Sequence, residues 1–327
     1  MESGRDARGT AAIDSITIGI VPRERFSTTA QVIESVLRHT EVAYELIFVD
    51  GNMPACYRQE VDDLLALVPN SRVIRTPEYV LPNHSKALVA EAARTRLTCL
   101  LENDCLVSEG WLTSLMAGLA ETRASVAAPM VEEAERGHGL GNLGDFMFQE
   151  SGDGTELKVQ SLPSSAMQPG SEPRLVQVAE AHCLLFETEV LQDVEPFDPS
   201  LNTREFLDMS LRLRERGVTM AFQPRSRVRF LPPPPVARED RPFFFYKWDR
   251  ELCDVSHRNL ARRWRLSAFP DAIEFVRARN YSLSASQLWR YHFARRAKRR
   301  IRRVLTSGAL RLKNGRWRPR SRPQLGE

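Results

Sequence analysis

The chain has 327 residues, of which 42% are hydrophobic, and this length suits one α/β domain with appendages. No apolar run approaches the roughly 18 residues of a membrane-spanning helix, and the first 14 residues lack the apolar stretch of a signal peptide. The five cysteines show no paired spacing, which argues against a disulfide framework or a zinc site. We therefore predict a cytoplasmic protein with a loose, polar N-terminus at residues 1–14.

Between residues 15 and 131, short β-branched apolar runs alternate with helical patterns of ten or more residues. We predict strands at 15–21, 44–50, 71–76, 98–103 and 125–131, with helices between them. This alternation is typical of βαβ units and of a mostly parallel sheet flanked by helices. Ligands of such sheets bind beyond the carboxyl ends of the strands, which is where Asp50, Glu102 and Asp104 fall.

The second half of the chain is less regular. Residues 132–175 are rich in Gly, Ser, Pro and acids without a sustained period, and a stretch of this length is either functional or disordered. After it we predict a strand at 175–187, helices at 187–193 and 203–217, two short strands (VTMAF and RVRFL), a helical and aromatic extension at 236–284, and a basic tail at 285–327.

The apolar run in LLENDCLV, residues 100–107, ends in two carboxylates, Glu102 and Asp104. Two hard oxygen ligands one residue apart suit Mg²⁺ or Mn²⁺, and such ions keep coordination positions open for a diphosphate. A solvated turn is the alternative interpretation of the same triplet. Asp50, at the end of the second predicted strand, favours a functional role because it adds another acid at the same edge of the sheet.

An acidic helix is predicted in NTREFLDMSLRLRERG, where Glu205, Asp208 and Arg212 share one face. A carboxylate on this face could act as a general base that takes a proton from an attacking hydroxyl. The structural alternative is also open. Asn202 and Glu205 are spaced as in a capping box, and Asp208 with Arg212 is an ordinary i, i+4 ion pair.

In their order along the chain, the motifs IGIVPRERFS, LIFVDG, LLENDCLVSEGWL and FDPSLNTREFLDMSLRLRERGV resemble the family 2 glycosyltransferases, which have the Rossmann-like GT-A fold. The resemblance covers residues 15–232 and implies a GT-A domain at 15–235, in which 132–175 is an acceptor-side insertion. It also implies transfer of a sugar, with inversion, from a nucleotide diphosphate donor to a hydroxyl of a glycan or lipid-linked acceptor. A bound Mn²⁺ or Mg²⁺ would hold the diphosphate.

The same resemblance implies roles for individual residues. Donor nucleotide contacts are expected from Pro22, Arg23, Asp50, Lys86 and Asn103, metal contacts from Glu102 and Asp104, base catalysis from Glu205 or Asp208, and an acceptor-side contact from His182. Outside the resemblance, we expect Trp248 and the aromatic stretch Phe243–Trp248 to shape the acceptor site. Three features depart from the family pattern: Glu102 stands where Asp is usual, Phe206 occupies the usual base position, and no histidine ligand follows the last strand. Phe206 leaves open a second hypothesis, a GT-A-like protein that has lost its base and binds a glycan or assembles a partner enzyme.

The whole chain has a net charge of +4, but its tail differs in charge from the rest. Residues 290–327 contain 14 of the 46 Lys and Arg but only one of the 42 acids. In SQLWRYHFARRAKRRIRRVL, apolar residues recur at nearly helical spacing among arginines, which suits an anionic membrane surface at 285–305. Docking on the chain's own domain or on a dimer partner is the alternative, and nucleic acid is a weaker third. We thus expect peripheral association with the inner membrane face.

Overall fold

The structure is a computed structural model that describes residues 16–135, 139–143, 146–150, 157–161, 172–231 and 236–266. All of these belong to one unit, Met1–Arg277. The predicted loose N-terminus at 1–14, the extension beyond residue 266 and the basic tail at 285–327 lie outside the described residues, so what we expect of them stays a prediction.

The described strands and helices alternate over most of the chain. The strands are β1 Ile16–Val21, β2 Tyr44–Val49, β3 Ser71–Ile74, β4 Leu97–Glu102, β5 Cys105–Val107, β6 Val126–Glu135, β7 Gly139–Leu143, β8 Phe146–Glu150, β9 Leu157–Ser161, β10 Arg174–Val176, β11 Cys183–Glu187 and β12 Met220–Phe230. The helices are α1 Thr29–His39, α2 Ala55–Leu65, α3 Pro82–Ala92, α4 Trp111–Thr122, α5 Thr188–Val194, α6 Glu205–Glu215, α7 Arg241–Lys247 and α8 Arg250–Trp264. All five strands that the sequence predicts before residue 132 are present.

The main sheet has the strand order β10-β12-β6-β11-β4-β1-β2-β3, with β5 paired to β12 and β7 to β6. Strands β1 to β4 pair in parallel, as βαβ units require, and β6 and β12 are also parallel. Strand β11 runs antiparallel to both of its neighbours, β4 and β6, so the sheet as a whole is mixed. The predicted α/β fold class is confirmed, and its parallel character belongs mainly to the first half of the chain.

Side chains of the central strands alternate between two apolar layers, one on each face of the sheet. Ile18 and Phe48 pack in the layer that contains Trp111 of α4, whereas Ile47 packs in the layer that contains Val89 of α3. Strands β1 and β4 are buried at every position, as expected of strands covered by helices on both faces. What remains for a ligand is the edge formed by the carboxyl ends of these strands.

Three sequence predictions need correction in the second half. The strand predicted at 175–187 is two strands, β10 and β11, separated by residues 177–182. The two short strands predicted after Gly217 are one strand, β12, whose register shifts between Gln223 and Arg227. The described parts of 132–175 also contain regular pairing, because β6 continues to Glu135 and pairs with β7.

The break before β11 matters for the site. It places residues 180–182 beside the end of β4, where the Glu102 amide donates to the His182 carbonyl at 2.9 Å. Val21 of β1 is in register with Glu102 of β4, so the loop after β1 begins at the same edge. Among the described residues, no helix has the length and apolar character needed to cross a bilayer.

Candidate active site

The acid pair lies at the end of β4, and both Glu102 and Asp104 are buried, at 1% and 0% exposure. The residue between them turns away from the cleft. The Asn103 side chain accepts from the Arg23 amide at 3.0 Å and donates to the Arg25 carbonyl at 2.7 Å. Asn103 therefore fixes the loop after β1 against the acid pair, and the role predicted for it as a nucleotide contact is corrected to a structural one.

Arg23 contacts three carboxylates with one guanidinium group. Its Nε lies 3.0 Å from Glu102 Oε2, and its Nη1 lies 3.2 Å from Asp104 Oδ2 and 3.2 Å from Glu24 Oε1. The guanidinium also stacks over the Phe230 ring, 4.8 Å from its centroid. The loop that carries Arg23 thus delivers a cation directly onto the acid pair.

Lys86 adds a second cation from the other side. It is fully buried in α3, and its Nζ lies 2.7 Å from Glu102 Oε1. A buried ammonium is stable only when it is paired with an acid. The structure therefore brings together Arg23, Lys86, Glu102 and Asp104, four of the residues predicted for the donor site.

Burial and charge act in opposite directions on these groups. Burial raises the pKa of Asp104 above its usual value, although the neighbouring Arg23 and Arg25 lower it. Burial would lower the pKa of Arg23, but Glu24, Asp104 and Glu102 outweigh it and raise the pKa well above its usual value. Arg23 is consequently a permanent cation in this cleft.

The predicted Mn²⁺ or Mg²⁺ does not fit the acid pair in this arrangement. Within the described part of the chain, no group of three or more His, Cys, Asp or Glu side chains is arranged to hold a metal ion. Glu102 and Asp104 direct oxygens at Arg23, and the position after the last strand, where a third ligand would stand, holds Leu231. Because a guanidinium already pairs with both ligands, we assign no catalytic step to an ion.

Asp50 ends β2 at the same edge of the sheet, and it is held by three donors. Its Oδ1 accepts from the Met53 amide at 2.7 Å, while Oδ2 lies 2.6 Å from Arg75 Nη1 and 3.4 Å from Arg58 Nε. Pro22 lies against the next residue, because a Cβ added to Gly51 would come within 2.8 Å of Pro22 Cγ. The first two strand ends therefore form one surface, as predicted for the nucleotide side.

His182 sits where the end of β4 meets the start of β11. Its Nδ1 lies 2.8 Å from Glu180 Oε1, and its Nε2 lies 3.9 Å from Glu102 Oε2. Burial would lower the pKa of His182, but Glu102 and Glu180 outweigh it and raise that pKa. The imidazole thus links Glu180, which the sequence did not single out, to the acid pair.

The two candidate bases on α6 have different surroundings. Glu205 Oε1 lies 3.6 Å from Lys247 Nζ. Burial would raise the pKa of Glu205, but Lys247, Lys86 and Arg23 lower it to about 2. Glu205 is therefore ionised at neutral pH and lies within electrostatic reach of the cleft cations.

Asp208 instead joins α6 to α8. It is fully buried and accepts from Arg212 Nε at 2.7 Å, from Arg263 Nη1 at 3.0 Å and from Trp264 Nε1 at 2.7 Å. Arg263 Nη1 also donates to Oδ2 at 3.2 Å, so each oxygen of Asp208 accepts two hydrogen bonds and the carboxylate is fully occupied. The geometry favours Glu205 over Asp208 as the base.

The C-terminal extension supports the loop after β1. Trp248 is buried, and its Nε1 donates to Glu24 Oε2 at 2.8 Å, so it holds the loop rather than facing an acceptor as predicted. Asp240 Oδ1 accepts from the Phe26 amide at 2.8 Å. Residues 236–266 thus help to fix Arg23 in place.

Residues 17–194, more than half of the chain, match the model of glycosyl transferase family 2. The chain belongs to this family. Among curated proteins, polypeptide N-acetylgalactosaminyltransferase 10 of Mus musculus is 26% identical over 118 residues, which are 35% of this chain and 20% of that protein. Polypeptide N-acetylgalactosaminyltransferase 15 of Mus musculus is 23% identical over 279 residues, 77% of this chain and 42% of that protein. The chain thus spans less than half the length of these relatives.

Two solved structures share the GT-A fold of this family 2 chain. The crystal structure of GalNAc-T7 with UDP, GalNAc and Mn²⁺ superposes with a TM-score of 0.53 at 16% identity, over 78% of this chain and 56% of that one. S. aureus TarS 1–349 in complex with UDP-GlcNAc superposes with a TM-score of 0.52 at 11% identity, over 83% of this chain and 74% of that one. At these identities the likeness establishes the fold.

Several site residues of this family 2 chain were missed from the sequence. Glu24 and Arg25 lie in the motif IGIVPRERFS, directly after Arg23. The alternating charges of this loop could have indicated that both residues belong to the site. Glu180 stands two residues before His182, which is the spacing of neighbours on one face of an extended segment. Lys247 had no local signal, because only the folding of α7 onto the cleft brings it to Glu205.

Proposed function

We propose that this chain transfers a sugar from a nucleotide diphosphate donor to an acceptor hydroxyl, with inversion at the anomeric carbon. The observation that carries the proposal is the convergence of buried charge at the carboxyl edge of the sheet, where Arg23 and Lys86 pair with Glu102 and Asp104. Ligand sites of open α/β sheets lie at this edge. Membership in glycosyl transferase family 2 supports the same chemistry.

The donor would lie along the edge formed by β1, β2 and β4. Asp50 and Pro22 would face the nucleoside, and Arg58 and Arg75 would hold the Asp50 side chain in place there. Arg23 and Lys86 lie where the diphosphate would follow. Two neighbours of the same fold were crystallised with UDP or UDP-GlcNAc, which makes uridine diphosphate the first nucleotide to test.

Transfer would occur in a single displacement. Glu205 takes the proton from the acceptor hydroxyl, the hydroxyl oxygen forms a bond to the anomeric carbon, and the bond from that carbon to the diphosphate oxygen breaks. The departing diphosphate carries the electron pair and is stabilised by the nearby cations. The low pKa of Glu205 keeps its carboxylate ionised at neutral pH.

A divalent ion, when present in a site of this kind, neutralises charge on the diphosphate. One structural neighbour was crystallised with Mn²⁺, and Glu102 and Asp104 were the residues predicted to hold such an ion here. Since both acids pair with Arg23, the proposed transfer relies on the cations of the chain itself.

The acceptor is proposed to be a glycan or a lipid-linked sugar. Glu180 and His182 immediately precede β11, which lies on the opposite side of β4 from β1 and β2, and the acceptor hydroxyl would arrive on this side. The two curated relatives are named for polypeptide acceptors, so a peptide rich in Ser and Thr is the third acceptor class for the same assay.

A second function is favoured by one observation. Phe206, at the usual base position, has no group that can accept a proton. Its ring packs against two apolar clusters, which gives it a structural role. A chain of this kind that lacked any base would bind a glycan or a partner enzyme without cleaving the donor.

The test is a panel of UDP-, GDP- and dTDP-sugars, examined by calorimetry and by release of the nucleoside diphosphate. We expect one member to bind and to be cleaved, faster when a suitable acceptor is added, with inverted configuration of the sugar product by NMR. Binding without cleavage, with or without acceptors, would support the second function. If no panel member binds, the nucleotide-sugar proposal is wrong.

A further inference from the structure

The geometry points to a donor site that works without a divalent ion, in which the guanidinium groups of Arg23 and Arg25 hold the diphosphate. This inference rests on the proposed function and adds to it the identity of the diphosphate-binding group. It differs from the prediction made from the acid pair, in which Glu102 and Asp104 bind an ion that in turn binds the donor.

The first observation is where Arg23 lies. It pairs with Glu102, Asp104 and Glu24 through Nε and Nη1, at 3.0 to 3.2 Å. Its second terminal nitrogen, Nη2, has no hydrogen-bond partner among the described residues. With Nε and Nη1 engaged by carboxylates, Nη2 is the nitrogen of this buried guanidinium that can donate to a phosphate oxygen.

The second observation is independent and concerns Arg25. This side chain is 2% exposed, and its Nη2 donates to the Leu231 carbonyl. Its Nε and Nη1 are buried without a hydrogen-bond partner in the part of the chain that the structure describes. Buried charged donors that stay unpaired are strongly disfavoured. Leu231 in turn donates its amide to the Asp104 carbonyl at 2.8 Å, so the unpaired Arg25 nitrogens lie near the end of the acid pair, where a bound anion would satisfy them.

The third observation is the support of this loop. The Asn103 amide holds the backbone of both arginines, and the Phe230 ring stacks on Arg23. Asp240, from the C-terminal extension, fixes the amide of Phe26 just beyond them. A loop fixed at three points keeps its cations in place before the donor arrives, so little ordering is needed on binding.

The contacts of the acid pair show what a divalent ion would have to displace. Glu102 Oε2 and Asp104 Oδ2 lie within 3.2 Å of the Arg23 guanidinium, and Glu102 Oε1 lies 2.7 Å from Lys86 Nζ. Asp104 Oδ1 accepts from the Cys105 thiol at 3.7 Å. An ion that bound both carboxylates would therefore displace Arg23 or Lys86 from Glu102.

The experiment is calorimetry of UDP, GDP and dTDP with the wild-type chain in EDTA and in Mn²⁺, together with an EPR titration of Mn²⁺ against the protein alone. We expect the same dissociation constant, within about threefold, in EDTA and in Mn²⁺, and no loss of the free Mn²⁺ signal. Binding that requires Mn²⁺, or uptake of Mn²⁺ by the protein, overturns the inference and leaves the proposed function intact. Failure of all three nucleotides under both conditions counts against the proposed function as well.

Variants assign the role to Arg23. We expect Arg23→Ala to weaken nucleotide binding in EDTA at least tenfold. The affinity of Arg23→Lys should lie between those of the wild type and Arg23→Ala, because lysine keeps the charge but loses the planar guanidinium. Arg225→Ala is the matched control, since Arg225 is half-exposed and pairs with Glu121 outside the cleft. Circular dichroism checks that each variant is folded. The comparison of EDTA with Mn²⁺ uses the wild-type chain, so it tests the inference even if a variant does not fold. Unchanged binding in a folded Arg23→Ala chain would remove Arg23 from the site.

Discussion

Replacing Asp208 with asparagine separates the structural acid of α6 from the chemical one. Asp208 is fully buried and accepts hydrogen bonds from three side chains, Arg212, Arg263 and Trp264. Asparagine has the same size, but it loses the charge and turns an amide group toward two guanidinium groups. We therefore expect Asp208→Asn to lower the stability of the fold while leaving the chemistry of the cleft unchanged.

The magnitude follows from the contacts. A hydrogen bond to a charged group contributes about 1.5–3 kcal/mol, and a neutral one about 0.5–1.5 kcal/mol. Replacing the carboxylate with an amide therefore removes about 1 kcal/mol of stability for each of the three donor side chains. The side chains of Arg212 and Arg263 are 26% and 40% exposed, and both also pair with Asp198. Water and Asp198 therefore reduce the destabilisation that follows when Asp208 loses its charge. We expect the free energy of unfolding to fall by about 2–3 kcal/mol.

Urea denaturation followed by tryptophan fluorescence measures the effect. The control is Asp63→Asn, because Asp63 is exposed and accepts from Gln59 alone, and its effect should stay below about 0.5 kcal/mol. Donor cleavage by folded Asp208→Asn should remain within about threefold of the wild type. A variant that is as stable as the wild type but inactive would show that Asp208 is a base and that our assignment is wrong.

Three further predictions concern other parts of the chain. The pKa of Glu205 is lowered to about 2, so Glu205 stabilises the folded state above about pH 4.5 and this contribution is lost as the pH falls toward 2. In urea denaturation, the loss of unfolding free energy in Glu205→Gln should therefore shrink from about 3 kcal/mol at pH 6 to about 1 kcal/mol at pH 3. An equal loss at both pH values would contradict the lowered pKa. Gly51→Ala should cost about 2 kcal/mol, because Gly51 has a φ of +62° and an added Cβ would meet Pro22 at 2.8 Å; a fully stable variant in the same denaturation assay would refute this. Deleting residues 285–327 should abolish co-sedimentation with anionic vesicles and leave neutral vesicles unaffected, whereas retained binding would refute a membrane role for the tail.

The parallel half of the fold could be predicted from the sequence because each strand is a short apolar run and each helix has its own period. Strand-end acids such as Asp50, Glu102 and Asp104 were visible for the same reason: they interrupt apolar runs at points where the fold places ligands. The antiparallel β11 was not visible in this way, since an apolar run does not indicate the direction of a strand.

The partners of these acids could not be read from the sequence. Lys247 and Trp248 are adjacent in the chain, yet one pairs with Glu205 and the other with Glu24, because the fold of the extension decides which loop each one meets. Asn103 is a polar residue at a strand end, where a ligand contact is expected, but its side-chain amide donates to the Arg25 carbonyl and so holds the loop after β1. Contacts of this kind join positions tens to hundreds of residues apart and leave no local pattern.

The most direct measurement of the central claim is the rate at which Glu205→Gln releases nucleoside diphosphate from the sugar donor that the wild type binds. Glu215→Gln, at the exposed end of the same helix, is the matched control. We predict that Glu205→Gln binds the donor with nearly the wild-type affinity but cleaves it at least about 100-fold more slowly, while the control matches the wild type. Cleavage by folded Glu205→Gln at the wild-type rate would contradict the account.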